Sequence, residues 1–206
     1  MIPARLIRTI PAEPSDDAER FWLTACDLHP SWEHRTFQDP IDPKWFPLTS
    51  PLWDLCKSGA QLAGLIRLEA LWEMGGVYID SDLELFRSLD SLLSCQGFAV
   101  WEDPNTVPDF VLGAEPHHPA IRACLDMARE RIRQTDNPDW RTGGGAWSTG
   151  PGVTTTVLPG RSDFLLLPPV TFAPYHYTEP HRAGEDFTAT PYVFGAHRWA
   201  HSWAGS

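Results

Sequence analysis

The chain has 206 residues, of which 42% are hydrophobic and 21% are charged. This composition predicts one domain with a substantial core and excludes an intrinsically disordered chain. The 16 basic and 27 acidic residues give a net charge of −11, which disfavours sequence-independent nucleic-acid binding, because such binding needs clustered Lys and Arg. The four cysteines lack metal-ligand spacing, and we expect no signal peptide and no membrane span. A cytoplasmic protein with reduced thiols is therefore predicted.

The first third of the chain predicts two strands and a helix. Residues 6–10 predict a short first strand that Pro11 ends, and residues 32–37 predict a second strand. Between them, residues 16–28 show helical spacing of apolar side chains, with Ser15 placed to cap the first turn. The proline-rich stretch 39–51 predicts a loop.

The clearest pattern lies in residues 58–79. Residues 58–74 have the apolar spacing of a long helix, which the pair Gly75-Gly76 should end. Residues 77–79 are Val, Tyr and Ile and predict a buried strand that runs directly into Asp80.

The second half predicts strands at residues 98–101 and 164–167, a helix over residues 120–134 and a glycine-rich loop over residues 142–152. Residues 191–196 predict a strand-like tail that leads into a segment rich in His and Trp. Strands that alternate with helices predict an α/β layered fold, and no boundary divides residues 1–206.

The triplet Asp80-Ser81-Asp82 is the centre of the predicted site. We expect the two carboxylates to point the same way, because residues two apart on an extended chain share a side. Like charges at the end of a buried strand repel each other, and a divalent cation relieves that repulsion. Mg²⁺ and Mn²⁺ prefer carboxylate and phosphate oxygens, so the cation would also bind the diphosphate of a nucleotide. Open α/β sheets bind ligands at this end of their strands.

The run 62–93 resembles the DXD-containing sugar transferases of glycosyltransferase family 32. The matching positions are Ala63, Arg67, Leu71, Gly75, Gly76, Tyr78, Asp80, Asp82, Leu89 and Asp90. The sequences Thr149-Gly150-Pro151 and 196–203 also resemble family segments. The resemblance implies a GT-A fold, which is a Rossmann-like mixed sheet flanked by helices, as a single domain.

The same resemblance implies a Mn²⁺ or Mg²⁺ site. Asp80 and Asp82 would be two of its ligands, and a C-terminal histidine would be the third. By position we favour His197, with His201 as the alternative.

Other roles also follow from the resemblance. Ser202 and Trp203 would contact the diphosphate, and Arg67 would contact the donor sugar or its phosphate. We assign catalytic roles to Asp82 and Arg67, which would stabilise the leaving diphosphate, and to Asp109, which would orient or deprotonate the acceptor. No protein nucleophile is predicted.

The sequence departs from the family at Gly64, where relatives carry an Asp that reads a donor-sugar hydroxyl. This difference suggests another donor sugar, weakened catalysis, or a replacement acid such as Asp109, Glu102 or Asp103.

The opening strand departs as well. Arg8 and Pro11 stand where relatives usually carry a His and a Trp, and we include Arg8 among the nucleotide-binding candidates. Trp22 or Trp101 would then be the ring that stacks on the base.

The resemblance implies transfer with retention from a nucleotide-diphosphate sugar, with UDP favoured and GDP as the alternative. The acceptor stays open between a glycan, a small molecule, a protein side chain and a modified nucleic-acid base. A second hypothesis is a catalytically degenerate module that binds a nucleotide or a glycan. A third and weaker one is a metal-dependent phosphohydrolase, which would need further carboxylates around the cation.

Overall fold

The computed structural model describes residues 1–134 and 145–200. Eight strands are present in that part of the chain: β1 Arg5–Ile10, β2 Glu33–Gln38, β3 Gly76–Ile79, β4 Leu83–Leu85, β5 Gly97–Val100, β6 Val111–Ala114, β7 Leu165–Leu167 and β8 Gly195–His197. Six of them form a mixed sheet in the order β2-β1-β3-β6-β5-β7. β6 is antiparallel to both of its neighbours, and the other pairs are parallel. The carboxyl ends of β1, β3 and β5 and the amino end of β6 therefore lie at one edge.

The helices of the described residues are α1 Asp16–Leu28, α2 Gly59–Met74, α3 Pro119–Gln134, α4 Gly145–Ser148 and α5 Pro151–Val157. Ser15 caps α1 by accepting a hydrogen bond from the Ala18 N–H, and Ser58 caps α2 in the same way. Gly75 ends α2 with φ +60, and a Cβ there would lie 2.6 Å from Pro116. Glycine is therefore required at this turn. No described helix has the length and apolar character of a membrane span.

The two faces of the sheet bury different cores. Ile7 and Tyr78 point into the core beneath α2 and α3. Leu6 and Val77 point into the opposite core, which includes Trp22 of α1. This alternation follows from the two-residue period of a strand, and it confirms the prediction of a mixed α/β sheet flanked by helices.

A separate two-stranded sheet adjoins the main one. β4 and β8 pair antiparallel, and Leu83 lies opposite His197. This pairing joins the segment that follows the DXD triplet to the C-terminal segment, 114 residues later in the chain.

Several elements differ from the sequence predictions. β6 was missed, because its sequence Val-Leu-Gly-Ala contains a residue with weak strand propensity. Gly113 is needed there because the ring of Phe98 occupies the space that a Cβ would take. β4 was missed as well, because it has only three residues.

Two predicted loops and the predicted tail also need correction. The predicted loop 142–152 contains α4 and the start of α5 in its described part. Residues 43–45 and 50–55 form 3₁₀ turns in and after the predicted loop 39–51, since proline is tolerated in the first turn of a helix. The tail strand covers residues 195–197 rather than 191–196.

Candidate active site

The two DXD carboxylates are brought together by a turn. The N–H of Asp80 donates to the carbonyl of Phe110, the residue just before β6 (2.8 Å), and the N–H of Leu83 donates to the carbonyl of Asp80 (3.1 Å). The expectation of an extended chain through the triplet was wrong, because residues 81 and 82 are the corner of this turn. The turn makes the two carboxylates converge on one point at the carboxyl end of β3.

His197 completes the group. Pairing of β4 with β8 brings its imidazole beside the triplet, with Nε2 3.0 Å from Oδ1 of Asp82. One possible ligand atom from each of Asp80, Asp82 and His197 lies within 4.8 Å of the others. The structure thus unites the three predicted metal ligands. His201, Ser202 and Trp203 lie outside the described residues.

Aromatic rings enclose the imidazole of His197. Phe110 stacks on it with a centroid distance of 4.3 Å, and Trp199 meets it edge-on at 4.2 Å. Nδ1 of His197 is buried and has no hydrogen-bond partner within the described residues. Trp199 has φ +52, a conformation that costs energy for a bulky residue and that is concentrated at functional sites.

Arg67 holds two carboxylates at the same edge. It lies on α2 and is 5% exposed, and its Nη2 lies 2.5 Å from Oδ1 of Asp80. The other arm of the guanidinium pairs with Asp109, two residues before β6. Its Cζ lies 4.3 Å from the ring centroid of Tyr78. Arg67 thus contacts two carboxylates at this edge and the side chain of Tyr78.

The charges within this group shift the pKa of each member. Burial raises the pKa of Asp80 to about 6, although Arg67 opposes that rise. Burial acts in the same direction on Asp82, but the charge of His197 and hydrogen bonds from His197 and the Ala200 N–H outweigh it and bring the pKa of Asp82 to about 2. Asp82 in turn outweighs the effect of burial on His197 and raises the pKa of the imidazole.

This donor set fits a divalent cation. It provides two carboxylates and one imidazole at the end of a buried strand, and a cation would relieve the repulsion that helps to raise the pKa of Asp80. Mn²⁺ and Mg²⁺ prefer carboxylate oxygen, and imidazole is a common ligand of transition metals. The imidazole must lose its proton to bind, so metal binding should release a proton.

Arg8 is placed differently from the prediction. It is 4% exposed and donates to Thr36 Oγ1 (3.1 Å) and to the Ala18 carbonyl (3.4 Å), and it pairs with Glu19. Its Cζ lies 4.5 Å from the ring centroid of Trp22. These contacts join β1 to β2 and α1 and leave Arg8 outside the group around Asp80. Trp22, one candidate for base stacking, is buried beneath Arg8.

Packing explains why position 64 is a glycine here and not the aspartate of the family pattern. A Cβ at this position would lie 2.5 Å from the carbonyl oxygen of Thr149, which belongs to the turn between α4 and α5. The space that an aspartate side chain would need is therefore filled by backbone. A sequence read alone cannot reveal this contact, since 85 residues separate the two partners.

Gly64→Ala should lower the free energy of unfolding by about 1–3 kcal/mol, because overpacking against fixed backbone forces the helix or the turn to move. Urea denaturation followed by tryptophan fluorescence measures the change. Gly59→Ala on the same helix is the matched control, because no atom lies within 4 Å of its Cβ position. The control should be neutral or up to about 1 kcal/mol more stable. If Gly64→Ala were as stable as Gly59→Ala, the turn that contains Thr149 would move aside at no measurable cost, and the packing argument would be wrong.

Comparison with known proteins also singles out the region that contains the Asp80-Ser81-Asp82 triplet. Residues 19–99 match the family model described as the glycosyltransferase sugar-binding region containing a DXD motif. The chain is 36% identical over 114 residues to inositol phosphoceramide mannosyltransferase 2 of Schizosaccharomyces pombe. The aligned region covers 52% of this chain and 32% of that protein. The chain thus spans about a third of the length of the curated relatives it matches.

Solved structures show the same fold. PaToxG glycosyltransferase aligns with a TM-score of 0.63 at 16% identity, covering 76% of this chain and 69% of that one. The UDP-bound glycosyltransferase domain of the YGT toxin aligns with a TM-score of 0.53 at 11% identity, covering 80% and 79%. This chain therefore has the GT-A fold of these glycosyltransferase domains, and its residues 19–99 resemble the DXD-containing sugar-binding region of glycosyltransferases.

Proposed function

We propose that this chain is a metal-dependent glycosyltransferase that uses a nucleotide-diphosphate sugar, with UDP favoured over GDP. The observation that carries the proposal is the convergence of Asp80, Asp82 and His197 on one point at the carboxyl end of β3. Two comparisons support it: the match to mannosyltransferases over part of their length and a neighbour of the same fold that binds UDP.

In this proposal Asp80, Asp82 and His197 hold Mn²⁺ or Mg²⁺, and the cation offsets negative charge on the departing diphosphate. Arg67 acts through the carboxylates of Asp80 and Asp109 and holds both in a fixed direction. This role differs from the direct contact with the donor that the sequence suggested, because both arms of the guanidinium are already occupied.

Asp109 is the candidate for orienting or deprotonating the acceptor. It is 9% exposed and lies at the sheet edge where β3 ends. Phe110 and Trp199 exclude water from His197, which strengthens the local electrostatics. Ser202 and Trp203 stay proposed contacts of the diphosphate. Transfer with retention also stays a proposal, and the acceptor class stays open.

The degenerate binding module is the competing function. Its support is Gly64, because the family's sugar-reading aspartate is missing and backbone fills its place. Such a module would bind a nucleotide or a glycan without turning it over.

A panel assay of donor hydrolysis tests the proposal. Wild-type protein is incubated with UDP-glucose, UDP-galactose, UDP-N-acetylglucosamine and GDP-mannose, with MnCl₂ or with EDTA. We expect release of the nucleoside diphosphate from at least one UDP-sugar, and only with the metal. Nucleotide binding that ignores Mn²⁺, without turnover of any donor, would favour the degenerate module instead.

A further inference from the structure

Glu102 lies at the same edge of the sheet as the metal ligands. It follows β5, which runs parallel to β3 with β6 between them. Two strand spacings separate β3 from β5, which is about 10 Å. The edge therefore presents Asp80 after β3, Asp109 before β6 and Glu102 after β5.

The carboxylate of Glu102 is buried and is little used by the fold. Its side chain is 9% exposed, and its one side-chain partner within the described residues is His176, with Nε2 3.2 Å from Oε1. The neighbouring Asp103 differs, because its carboxylate accepts from the Asn105 N–H (2.7 Å) and the Thr106 hydroxyl (3.2 Å) and so closes a turn. Burial also raises the pKa of Glu102, against the attraction of His176. A buried acid with spare acceptor capacity suits a ligand that carries hydroxyl donors.

His176 is itself held in place. Its backbone N–H donates to Glu179 Oε2 (3.1 Å), and its ring Nδ1 lies 2.8 Å from the hydroxyl of Thr178. The ring can therefore fix the direction of the Glu102 carboxylate, and it is not one of the proposed metal ligands Asp80, Asp82 and His197.

Aromatic rings connect this acid to the metal ligands. Trp199 meets the ring of His197 at 4.2 Å and lies 6.3 Å from the ring of His176, measured between centroids. Tyr177, which is 49% exposed, lies 5.8 Å from Trp199. A carboxylate beside such rings offers hydroxyl acceptors and an apolar surface together, as the two kinds of face on a sugar ring require.

The position that reads the donor sugar in relatives is closed here, because Gly64 packs on Thr149. Glu102 is a buried carboxylate on the same edge with acceptor capacity to spare. We infer that Glu102 accepts hydrogen bonds from hydroxyls of the donor sugar, and that His176 is its positioning residue. This inference rests on the proposed function and names the residue that gives the site its sugar specificity.

Calorimetry with and without the sugar isolates this role. The sugar nucleotide that wild type hydrolyses fastest in the panel, and the matching UDP or GDP, are titrated into wild type and Glu102→Ala in the presence of MnCl₂. We expect Glu102→Ala to bind the sugar nucleotide about 10- to 100-fold more weakly, the range for hydrogen bonds to a charged group. Binding of the free nucleoside diphosphate should be unchanged, because it lacks the sugar that the donor transfers.

Three further variants make the test specific. Glu102→Gln keeps one acceptor oxygen and should lose less affinity for the sugar nucleotide. His176→Phe should weaken sugar-nucleotide binding while leaving free-diphosphate binding intact, as expected of a positioning residue. Asp103→Asn carries the same charge change one residue away and should keep the wild-type ratio of the two affinities.

The outcomes separate this inference from the proposed function. Wild type that neither hydrolyses nor binds any nucleotide of the panel overturns both. If wild type binds its sugar nucleotide more tightly than the free nucleoside diphosphate, and Glu102→Ala shows the same ratio of affinities, only the role of Glu102 is overturned. Equal losses for the sugar nucleotide and the free diphosphate in Glu102→Ala would reveal a structural effect and also overturn it.

Discussion

Arg67→Met should lower the free energy of unfolding by about 3–5 kcal/mol, the usual cost of removing one partner from a buried ionic group. The guanidinium is 5% exposed and pairs with both Asp80 and Asp109. Methionine fills similar volume but leaves both carboxylates without their cation. Urea denaturation followed by tryptophan fluorescence in metal-free buffer measures the loss.

Two further variants sharpen this prediction. Arg122→Met removes an i,i+4 pair with Asp126 on α3, where side-chain exposure limits the loss to less than about 1 kcal/mol. Arg67→Met combined with Asp109→Asn should recover part of the loss, because one unpaired carboxylate disappears. A loss below about 1 kcal/mol for Arg67→Met alone would contradict the role assigned to Arg67.

Asp82→Asn should reduce the Mn²⁺-dependent turnover of donor by at least about 100-fold. Loss of residues that only support metal ligands already costs about 10- to 100-fold, and Asp82 is a proposed ligand itself. The charge of His197 and hydrogen bonds from His197 and the Ala200 N–H overcome the effect of burial and lower the pKa of the Asp82 carboxyl to about 2. Asparagine keeps the shape but removes the charge that attracts both His197 and a cation.

Initial rates of donor hydrolysis across a Mn²⁺ titration provide the measurement. Asp126→Asn on α3 is the control, because it makes the same charge change on a half-exposed residue away from the sheet edge, and it should keep wild-type rates. Circular dichroism checks that Asp82→Asn stays folded. Unchanged turnover in folded Asp82→Asn would remove the DXD triplet from the mechanism.

The segment from α2 to Asp80 was predictable from the sequence because its signals are local. Helical spacing, the stop at Gly75-Gly76 and a run of β-branched and aromatic residues are all read within 25 residues. The structure confirms α2 and β3 and ends the strand where the carboxylates begin.

The features that the sequence did not reveal depend on distant partners. The turn that makes Asp80 and Asp82 converge is hydrogen-bonded to Phe110, just before β6, and β6 was not predicted because its sequence contains a glycine. The role of Arg67 depends on Asp109, 42 positions away, and the glycine at position 64 depends on Thr149. Propensity and spacing describe neighbours in the chain and carry no signal for such contacts.

Calorimetric titration of UDP into the wild-type protein, with and without Mn²⁺, tests the central claim that Asp80, Asp82 and His197 form a cation site for a nucleotide diphosphate. We predict that UDP binds measurably with Mn²⁺ and at least about 100-fold more weakly in EDTA, and that metal binding releases a proton. UDP binding of equal strength in both buffers would contradict the claim.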